Sequence, residues 1–316
     1  MEENIIKGLN RLYPVEIEEV VAVTDEMYRC TARQGIYFAR ITNYKTHDEQ
    51  LDEVKWTNYL HSEGFEAPQA IPSVNGRLIE EITLDDEKRT VLYKGSPGVH
   101  LPNHQWTPTV FKELGRQIGR LHRLSKKFER TEDLPEIHDW HENEEYNFLR
   151  YIPKEQTRIR EIAEEVLSAV KELPRNHDTY GLLHGDIWLE NILVDRDSNI
   201  RMVDFQDCER HYYIFDLAVP IYSALEYTFE GTGNITEYGD RMTKAIIEGY
   251  QEEHALDPAM LDQLPLFLKL KELFEYSLMY MYWNTEKLNE DQLRIMNHFR
   301  IRLEQNHSIL GMQQHT

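Results

Sequence analysis

Residues 182–207, LLHGDIWLENILVDRDSNIRMVDFQD, contain several polar groups capable of metal binding and acid–base chemistry. Asp186, Asn191 and Asp204 supply two carboxylates and an amide oxygen. Mg²⁺ prefers such hard oxygen ligands, and it keeps waters and takes further ligands from nucleotide phosphates. A carboxylate that stays off the metal can accept the proton of a hydroxyl group. The alternative is that these three polar residues only occupy turns and caps, but apolar packing gives no reason for placing all of them here.

Two short apolar runs are expected to position these groups. Residues 192–195 and 200–204 flank the turn sequence RDSN, which predicts a small hairpin. The hairpin would bring Asn191 and Asp204 to neighbouring positions, and Asp186 would lie on the loop leading into it.

The first 95 residues are predicted to be rich in β-structure. Three consecutive strands are indicated by β-branched content and alternation, over residues 15–23, 26–32 and 36–42. A helix over 46–64 begins at a Thr cap and ends at a glycine. Asn75-Gly76 predicts a hairpin between strands at 70–74 and 77–82, and 90–93 reads as a further strand.

The rest of the chain is predicted to be mostly helical. Apolar residues recur at helical spacing in five segments, residues 107–127, 155–173, 238–254, 258–284 and 289–309. A β-rich part with one long helix therefore precedes a helical part, which favours an α+β fold.

Composition excludes several classes of function. The 316 residues carry a formal net charge of −21, with 41% hydrophobic and 29% charged residues. Such a charge repels nucleic-acid phosphates and anionic membrane surfaces. We find no leader pattern and no apolar run long enough to span a membrane, so a cytoplasmic protein is expected. Cys30 and Cys208 are expected to be reduced thiols.

The motif HGDIWLEN followed by VDFQD resembles the catalytic and metal-binding segments of the aminoglycoside phosphotransferase and choline kinase family, which is similar in fold to the protein kinases. The elements H-G-D-x4-N, D-F and a later D-L-A at Asp216 occur in the family's order. The resemblance implies a two-lobed protein-kinase-like α+β fold. A β-rich nucleotide-binding lobe would cover residues 1–95, and a mainly helical lobe with the catalytic loop and acceptor site would cover 96–316.

The resemblance also implies roles for the residues of the motif. Asp186 would be the catalytic base that orients the attacking hydroxyl and accepts its proton. Asn191 and Asp204 would hold Mg²⁺ against the phosphates of ATP. His184 would brace the loop, and Asp216 would hold it through backbone N–H groups.

Nucleotide contacts are implied in the first lobe. Arg40 occupies the third strand, where related kinases carry the cation that holds the α- and β-phosphates, and Glu53 on the following helix would pair with it unless it is merely a solvated acid. No glycine lies between the first two strands, which weakens any claim of close backbone contact with phosphate there, although Thr24 offers a hydroxyl. The Lys94 carbonyl and the Ser96 N–H would bind adenine, unless this segment is only a linker.

The expected function is transfer of the γ-phosphoryl group of ATP to a hydroxyl of a small molecule. Residues 207–276 contain 14 Asp+Glu against 5 Lys+Arg, a net charge of −9. Together with Asp207, Glu209 and the acidic segment 129–146, this balance favours a cationic acceptor such as an aminoglycoside, a choline-like alcohol or an amino alcohol, while homoserine and sugars remain open.

Two other functions remain open. A protein Ser/Thr kinase is disfavoured because no activation segment ending in A-P-E follows DFQD. A non-catalytic nucleotide-binding scaffold is disfavoured because Asp186, Asn191 and Asp204 are all present. The sequence does not indicate the oligomeric state.

Overall fold

The computed structural model describes residues 2–228 and 234–310. The strands are β1 (Ile17–Ala22), β2 (Met27–Ala32), β3 (Gly35–Thr42), β4 (Glu80–Thr83), β5 (Glu87–Lys94), β6 (Tyr180–Leu183), β7 (Ile192–Val194), β8 (Ile200–Met202) and β9 (Glu209–Tyr212). The α-helices are α1 (Glu2–Leu12), α2 (His47–Ser62), α3 (Pro108–Phe128), α4 (Phe148–Tyr151), α5 (Thr157–Glu172), α6 (Ile214–Ser223), α7 (Ile235–Gln251), α8 (Pro258–Leu261), α9 (Leu264–Tyr282) and α10 (Glu290–Glu304). Within these residues, no helix combines the length and the apolarity needed to cross a membrane.

The chain divides into two compact units, each discontinuous in sequence. The first contains the described residues of Met1–His100, Lys127–Ile137 and Asn191–Cys208, and the second contains those of Leu101–Lys126, His138–Glu190 and Glu209–Thr316. This division differs from a single boundary after residue 95 because the hairpin β7–β8 packs within the first unit. Val99 and Val194 exchange backbone hydrogen bonds of 3.0 and 2.9 Å, and the Met202 N–H donates to the Glu66 carbonyl at 3.3 Å.

The first unit is built on one antiparallel sheet with strand order β1-β2-β3-β5-β4. The three strands predicted at its start are present and pair antiparallel in sequence, since the connections between them are short. Helix α1 places Ile5, Leu9 and Leu12 at helical spacing on one face. These residues join the sheet's apolar face in the core of the unit.

The prediction of a hairpin at Asn75-Gly76 is wrong. A turn forms there, since the Gly76 N–H donates to the Ser73 carbonyl at 2.9 Å, but it does not connect two paired strands. Strand β4 instead pairs with β5, and the residues preceding the turn contribute only an isolated bridge between Ala70 and Tyr93. Pro72 lacks the N–H that a paired strand would use.

Helix α2 begins as its sequence predicts. The Thr46 hydroxyl accepts the Glu49 N–H at 3.2 Å, and the Glu49 carboxylate accepts the Thr46 N–H at 2.7 Å, which completes a capping box. Gly64 then adopts a φ of +77°, a conformation that favours glycine, two residues after the helix ends. The buried side of α2 includes the acid Glu53.

The second unit is mainly helical, and four of the five predicted helices are present within a few residues of their predicted bounds. The fifth, predicted over 258–284, is two helices, α8 and α9, with Pro265 in the first turn of α9. Strand β9, which the sequence analysis did not identify, pairs antiparallel with β6 immediately before α6. Helix α6 is buried along its whole length.

Candidate active site

The loop after β6 in the second unit is fixed by one buried carboxylate. Asp216 Oδ1 accepts the Gly185 N–H at 2.9 Å, and its Oδ2 accepts the His184 N–H at 3.0 Å. Gly185 has a φ of +85°, in the left-handed region that favours glycine. His184 Nδ1 accepts the Asp186 N–H at 3.3 Å. Asp216 therefore fixes the loop through two backbone N–H groups, and His184 stabilises it from within the loop. The resemblance of the motif implied both roles.

A chain of buried side chains supports Asp216 in turn. His122 Nε2 donates to Asp216 Oδ2 at 3.0 Å, and His122 Nδ1 lies 2.9 Å from the Tyr250 hydroxyl. The Tyr250 hydroxyl is 3.1 Å from Nδ1 of His254. Helices α3, α6 and α7 are thus connected to the loop by side-chain hydrogen bonds.

Asp186 has a cationic partner that sequence reasoning missed. Lys271 Nζ lies 3.3 Å from Asp186 Oδ1 and 2.8 Å from Glu275 Oε1. The rings of Trp188 and Phe274 each have their centroid 4.8 Å from the same ammonium. Lys271 therefore contacts two carboxylates and two aromatic faces.

The charge of this lysine is stabilised despite its burial. Burial alone would lower the pKa of Lys271, but Glu275 and Asp186 outweigh it, so the pKa is raised above its ordinary value. Loss of solvation raises the pKa of Glu275 and outweighs the Lys271 ammonium, which lowers it, while the carboxylates of Asp186 and Glu145 add to the increase. Lys271 is an ammonium throughout the physiological pH range.

In the first unit, Asn191 and Asp204 stand at the open end of the hairpin β7–β8. The Val203 N–H donates to the Asn191 carbonyl at 3.0 Å, which holds the two ends of the hairpin together. Asp204 is exposed and has a φ of +61°, a conformation that Asp and Asn tolerate better than most residues. The predicted hairpin is confirmed, and Asn191 and Asp204 lie next to its paired ends.

Arg40 and Glu53 form a buried bidentate ion pair within the first unit. Arg40 Nη1 and Nη2 donate to the two oxygens of Glu53 at 2.9 and 2.8 Å, and Arg40 and Glu53 are 4% and 2% exposed. Burial opposes the charge, but Glu53 outweighs it and Asp204 adds to the effect, so the pKa of Arg40 is raised. Within the described residues, Arg40 Nε is buried and has no hydrogen-bond partner.

A second cation of the first unit, Lys45, was not identified from the sequence. Its ammonium donates to the Gln206 carbonyl, and the Arg89 guanidinium donates to the Lys45 carbonyl. Burial opposes its charge, but Cys208 and Asp207 favour it, so the pKa of Lys45 is raised. Lys45 thus brings positive charge to the segment that follows Asp204.

The remaining predicted nucleotide contacts lie on loops and strand ends of the same unit. The Thr24 hydroxyl accepts the N–H groups of Glu26 and Met27 at 3.2 and 3.0 Å, so it stabilises the turn between β1 and β2. Lys94 is the last residue of β5, and Ser96 lies half-buried in the segment after it. These contacts do not test whether Thr24, Lys94 and Ser96 bind the nucleotide, so their role stays a prediction.

Glu209, one of the acids that were expected to favour a cationic acceptor, is a buried residue. It is 6% exposed, and its carboxylate accepts the Tyr146 hydroxyl at 2.8 Å. Burial and this carboxylate raise the pKa of Tyr146 well above its ordinary value. Near Asp186, the carboxylates of Glu275 and Glu145 interact with each other electrostatically. The Tyr282 hydroxyl donates to Glu145 at 2.6 Å.

Solved structures of kinases share this fold. Amicoumacin kinase hAmiN in complex with AMP-PNP, Ca²⁺ and Ami matches with a TM-score of 0.90 and 26% identity, covering 98% of this chain and 94% of that chain. A microcompartment-associated aminopropanol kinase matches with a TM-score of 0.69 and 20% identity, covering 95% and 94%. The predicted protein-kinase-like fold class is confirmed.

Sequence comparisons agree with this result. The amicoumacin kinase of Bacillus subtilis is 26% identical over 306 residues, covering 95% of this chain and 91% of that protein. The homoserine kinase of Zymomonas mobilis is 23% identical over 247 residues, covering 74% and 70%. Residues 17–258 match the model of the phosphotransferase enzyme family. Because that match covers most of the sequence, this chain belongs to the phosphotransferase enzyme family, and it is a small-molecule kinase.

Proposed function

We propose that this enzyme transfers the γ-phosphoryl group of ATP to a hydroxyl group of a small molecule that also carries a positive charge. The observation that carries the proposal is the loop of Asp186, which Asp216 holds through two backbone N–H groups at 2.9 and 3.0 Å. Asp186 orients the acceptor hydroxyl and takes its proton as the phosphoryl group moves to the oxygen. Because the transition state of such transfers is loose, positioning contributes more than strong basicity.

The oxygen ligands of the first unit fit Mg²⁺. Asn191 and Asp204 would hold it, since Mg²⁺ takes only one or two carboxylates and completes its shell with waters and phosphates. It therefore needs no closed cage of side chains, and among residues 2–228 and 234–310 no three His, Cys, Asp or Glu side chains form one. When bound, the ion would neutralise charge on the β- and γ-phosphates.

Positive charge for the phosphates is available in the same unit. Arg40 would act on the α- and β-phosphates while Glu53 fixes its guanidinium, and a phosphate oxygen is the kind of acceptor that its buried Nε lacks. Thr24 would offer its hydroxyl, and adenine would bind the Lys94 carbonyl and the Ser96 N–H. The complex of amicoumacin kinase hAmiN with AMP-PNP and Ca²⁺ supports a site for a nucleotide and a divalent cation.

A cationic acceptor is supported by charge and by the relatives. Aminopropanol, which names the acceptor of one matching kinase, carries a hydroxyl and an amine, whereas homoserine, which names that of another, also carries a carboxylate. Asp186 and Glu275 share the Lys271 ammonium, and Glu145 adds a further negative charge that acts on Glu275. We also propose a cytoplasmic location, where ATP is available and the two buried free cysteines would stay reduced.

The test is a screen for phosphorylated products. Wild-type enzyme with Mg-ATP is offered amicoumacin, aminopropanol, homoserine, choline, spectinomycin, an uncharged sugar and a Ser-containing peptide, with products followed by mass spectrometry. We expect a hydroxyl-bearing amine to be phosphorylated and Asp186→Asn to lower its turnover at least about 10²-fold. Asp240→Asn, which neutralises an exposed acid of α7, is the matched control. Undiminished turnover by Asp186→Asn would disprove the role of Asp186, and phosphorylation of only neutral compounds would disprove the charge preference.

A further inference from the structure

Lys271 is a buried cation placed directly against the proposed catalytic base. Its side chain is 1% exposed, whereas those of its partners Asp186 and Glu275 are 26% and 17% exposed. The ammonium therefore lies beneath the two carboxylates, and solvent or an acceptor reaches the carboxylates first. Lys271 is therefore placed to act on an acceptor through these carboxylates rather than directly.

Stability alone does not account for this cation. Removing an ammonium from water costs several kcal/mol, and a buried ion pair recovers that cost only with good geometry. An apolar residue of similar volume would serve packing as well, because the aromatic faces of Trp188 and Phe274 already flank the ammonium. The charge is instead explained by what it does to Asp186.

We propose that Lys271 is a positioning residue of the phosphoryl-transfer reaction, whose buried ammonium fixes the orientation of the Asp186 carboxylate toward the acceptor hydroxyl. Glu275, one turn further along α9, anchors the ammonium from the same helix at 2.8 Å. The proposal rests on the proposed role of Asp186 and adds the residue that controls it.

The charges around Asp186 make the effect of Lys271 predictable in sign. The groups that interact with this cluster include the carboxylate of Glu145 and the phenols of Tyr146, Tyr222 and Tyr227. Without the ammonium, the neighbouring carboxylates of Asp186 and Glu275 would repel each other. Removal of Lys271 therefore lets the Asp186 carboxylate turn away, so that it no longer holds the acceptor hydroxyl in place.

The experiment compares kcat and KM for ATP in Lys271→Met and Glu275→Gln. Turnover is followed as ADP release from Mg-ATP, with the acceptor found in the screen or with water as acceptor. For Lys271→Met we expect kcat to fall at least about tenfold with little change in KM for ATP. For Glu275→Gln we expect a smaller fall in kcat, because the ammonium keeps its contact with Asp186.

The proposal is falsified if Lys271→Met keeps the wild-type kcat. Lys271→Arg, which keeps the charge, should recover part of the lost turnover. If Lys271→Met does not fold, the double variant Lys271→Met/Glu275→Gln removes both charges and is measured in its place, with a fall in kcat again expected. Undiminished turnover in Asp186→Asn disproves the base itself, so the two failures are distinct.

A readout independent of turnover tests the contact directly. In protein labelled with ¹⁵N-lysine, the buried ammonium should give an NH₃⁺ signal that is assigned by its loss in Lys271→Met. Asp186→Asn should shift this signal, because it removes a charged partner at 3.3 Å. A signal left unchanged by Asp186→Asn would overturn the proposed pairing.

Discussion

Asp216 and Gly185 are joined by a hydrogen bond of 2.9 Å from the Gly185 N–H to Asp216 Oδ1. The same carboxylate accepts the His184 N–H and His122 Nε2, so three donors converge on one fully buried acid. A single side chain thereby fixes the backbone of the residue that precedes Asp186.

Asp216→Asn should affect both stability and turnover. An amide presents N–H groups to donors, so at least one buried donor loses its acceptor and the free energy of unfolding should fall by at least about 2 kcal/mol. Urea unfolding gives this value, and kcat below the melting range should fall while KM for ATP changes little. Wild-type stability in Asp216→Asn would contradict this account, and Asp240→Asn is the control.

Arg40→Lys should weaken nucleotide binding. Lysine replaces the planar fork with a single ammonium that cannot pair with both oxygens of Glu53. We expect KM for ATP to rise about tenfold, which initial-rate kinetics at saturating acceptor would measure. Arg29→Lys, on an exposed position of β2 in the same sheet, is the matched control and should leave KM unchanged.

Glu53→Gln tests the same ion pair from its other side. It leaves the buried guanidinium of Arg40 without its carboxylate, and the free energy of unfolding should fall by about 3 to 5 kcal/mol. Denaturation in urea checks this. A loss below about 1 kcal/mol would show that Arg40 finds another partner.

Asp204→Asn should weaken Mg²⁺-dependent ATP binding while leaving the fold intact. Asn tolerates the left-handed conformation of this residue, with its φ of +61°, whereas Ala would add strain. Calorimetric titration with ATP should show at least about tenfold weaker binding with Mg²⁺ and little difference in EDTA. Asp197→Asn, an exposed acid in the turn of the same hairpin, should bind as wild type does.

His254 should make stability depend on pH in the acid range. Burial lowers the pKa of His254 from 6.5 to about 4. Below pH 6.5 this histidine binds a proton in the unfolded chain but stays neutral in the folded protein. The free energy of unfolding therefore falls by roughly 2 to 3 kcal/mol as the pH is lowered from 6.5 to about 4. The difference in unfolding free energy between wild type and His254→Gln should change by this amount between pH 7 and 4.5. His104→Gln, at an exposed position, should show no such change.

The two cysteines should be inert in the folded protein. Burial raises the pKa of Cys30 to about 11 and that of Cys208 to about 12, so both stay protonated at pH 8. A thiol reagent such as DTNB should therefore modify neither within minutes in buffer and both in denaturant. Rapid modification of one thiol in the native protein would show that the segment around it opens.

The sequence predicted those features that depend on neighbouring residues. The strands β1 to β3, the capped helix α2 and the hairpin β7–β8 each follow from patterns within about 20 residues, and all are present. The turn at Asn75-Gly76 was also local and does form. The strand pairing predicted across this turn is wrong, because a turn signal does not specify which strands pair. Strand β4 pairs with β5 instead.

Lys271 was missed because it lies 85 residues after Asp186, and their contact depends on how α9 packs. The signal in the sequence is its position on α9, where Phe267 and Phe274 lie four residues before it and three after it on one helical face. A lysine on an apolar stripe, with a glutamate four residues later, indicates a buried charge that needs a partner. It does not indicate which partner, and Lys45 was missed for the same reason.

The membership of residues 191–208 in the first unit has a consequence for biosynthesis. The sheet of β1 to β5 is complete when about a third of the chain has been made, but the hairpin that pairs with Val99 emerges only after two long segments of the second unit. Since synthesis proceeds from the N-terminus, the growing chain carries an incomplete first unit through this interval. Under the roles proposed for Asn191 and Asp204, nascent chains and truncations that end before residue 204 would lack both metal ligands or one of them, so an isolated N-terminal fragment would not report the nucleotide affinity of the whole enzyme.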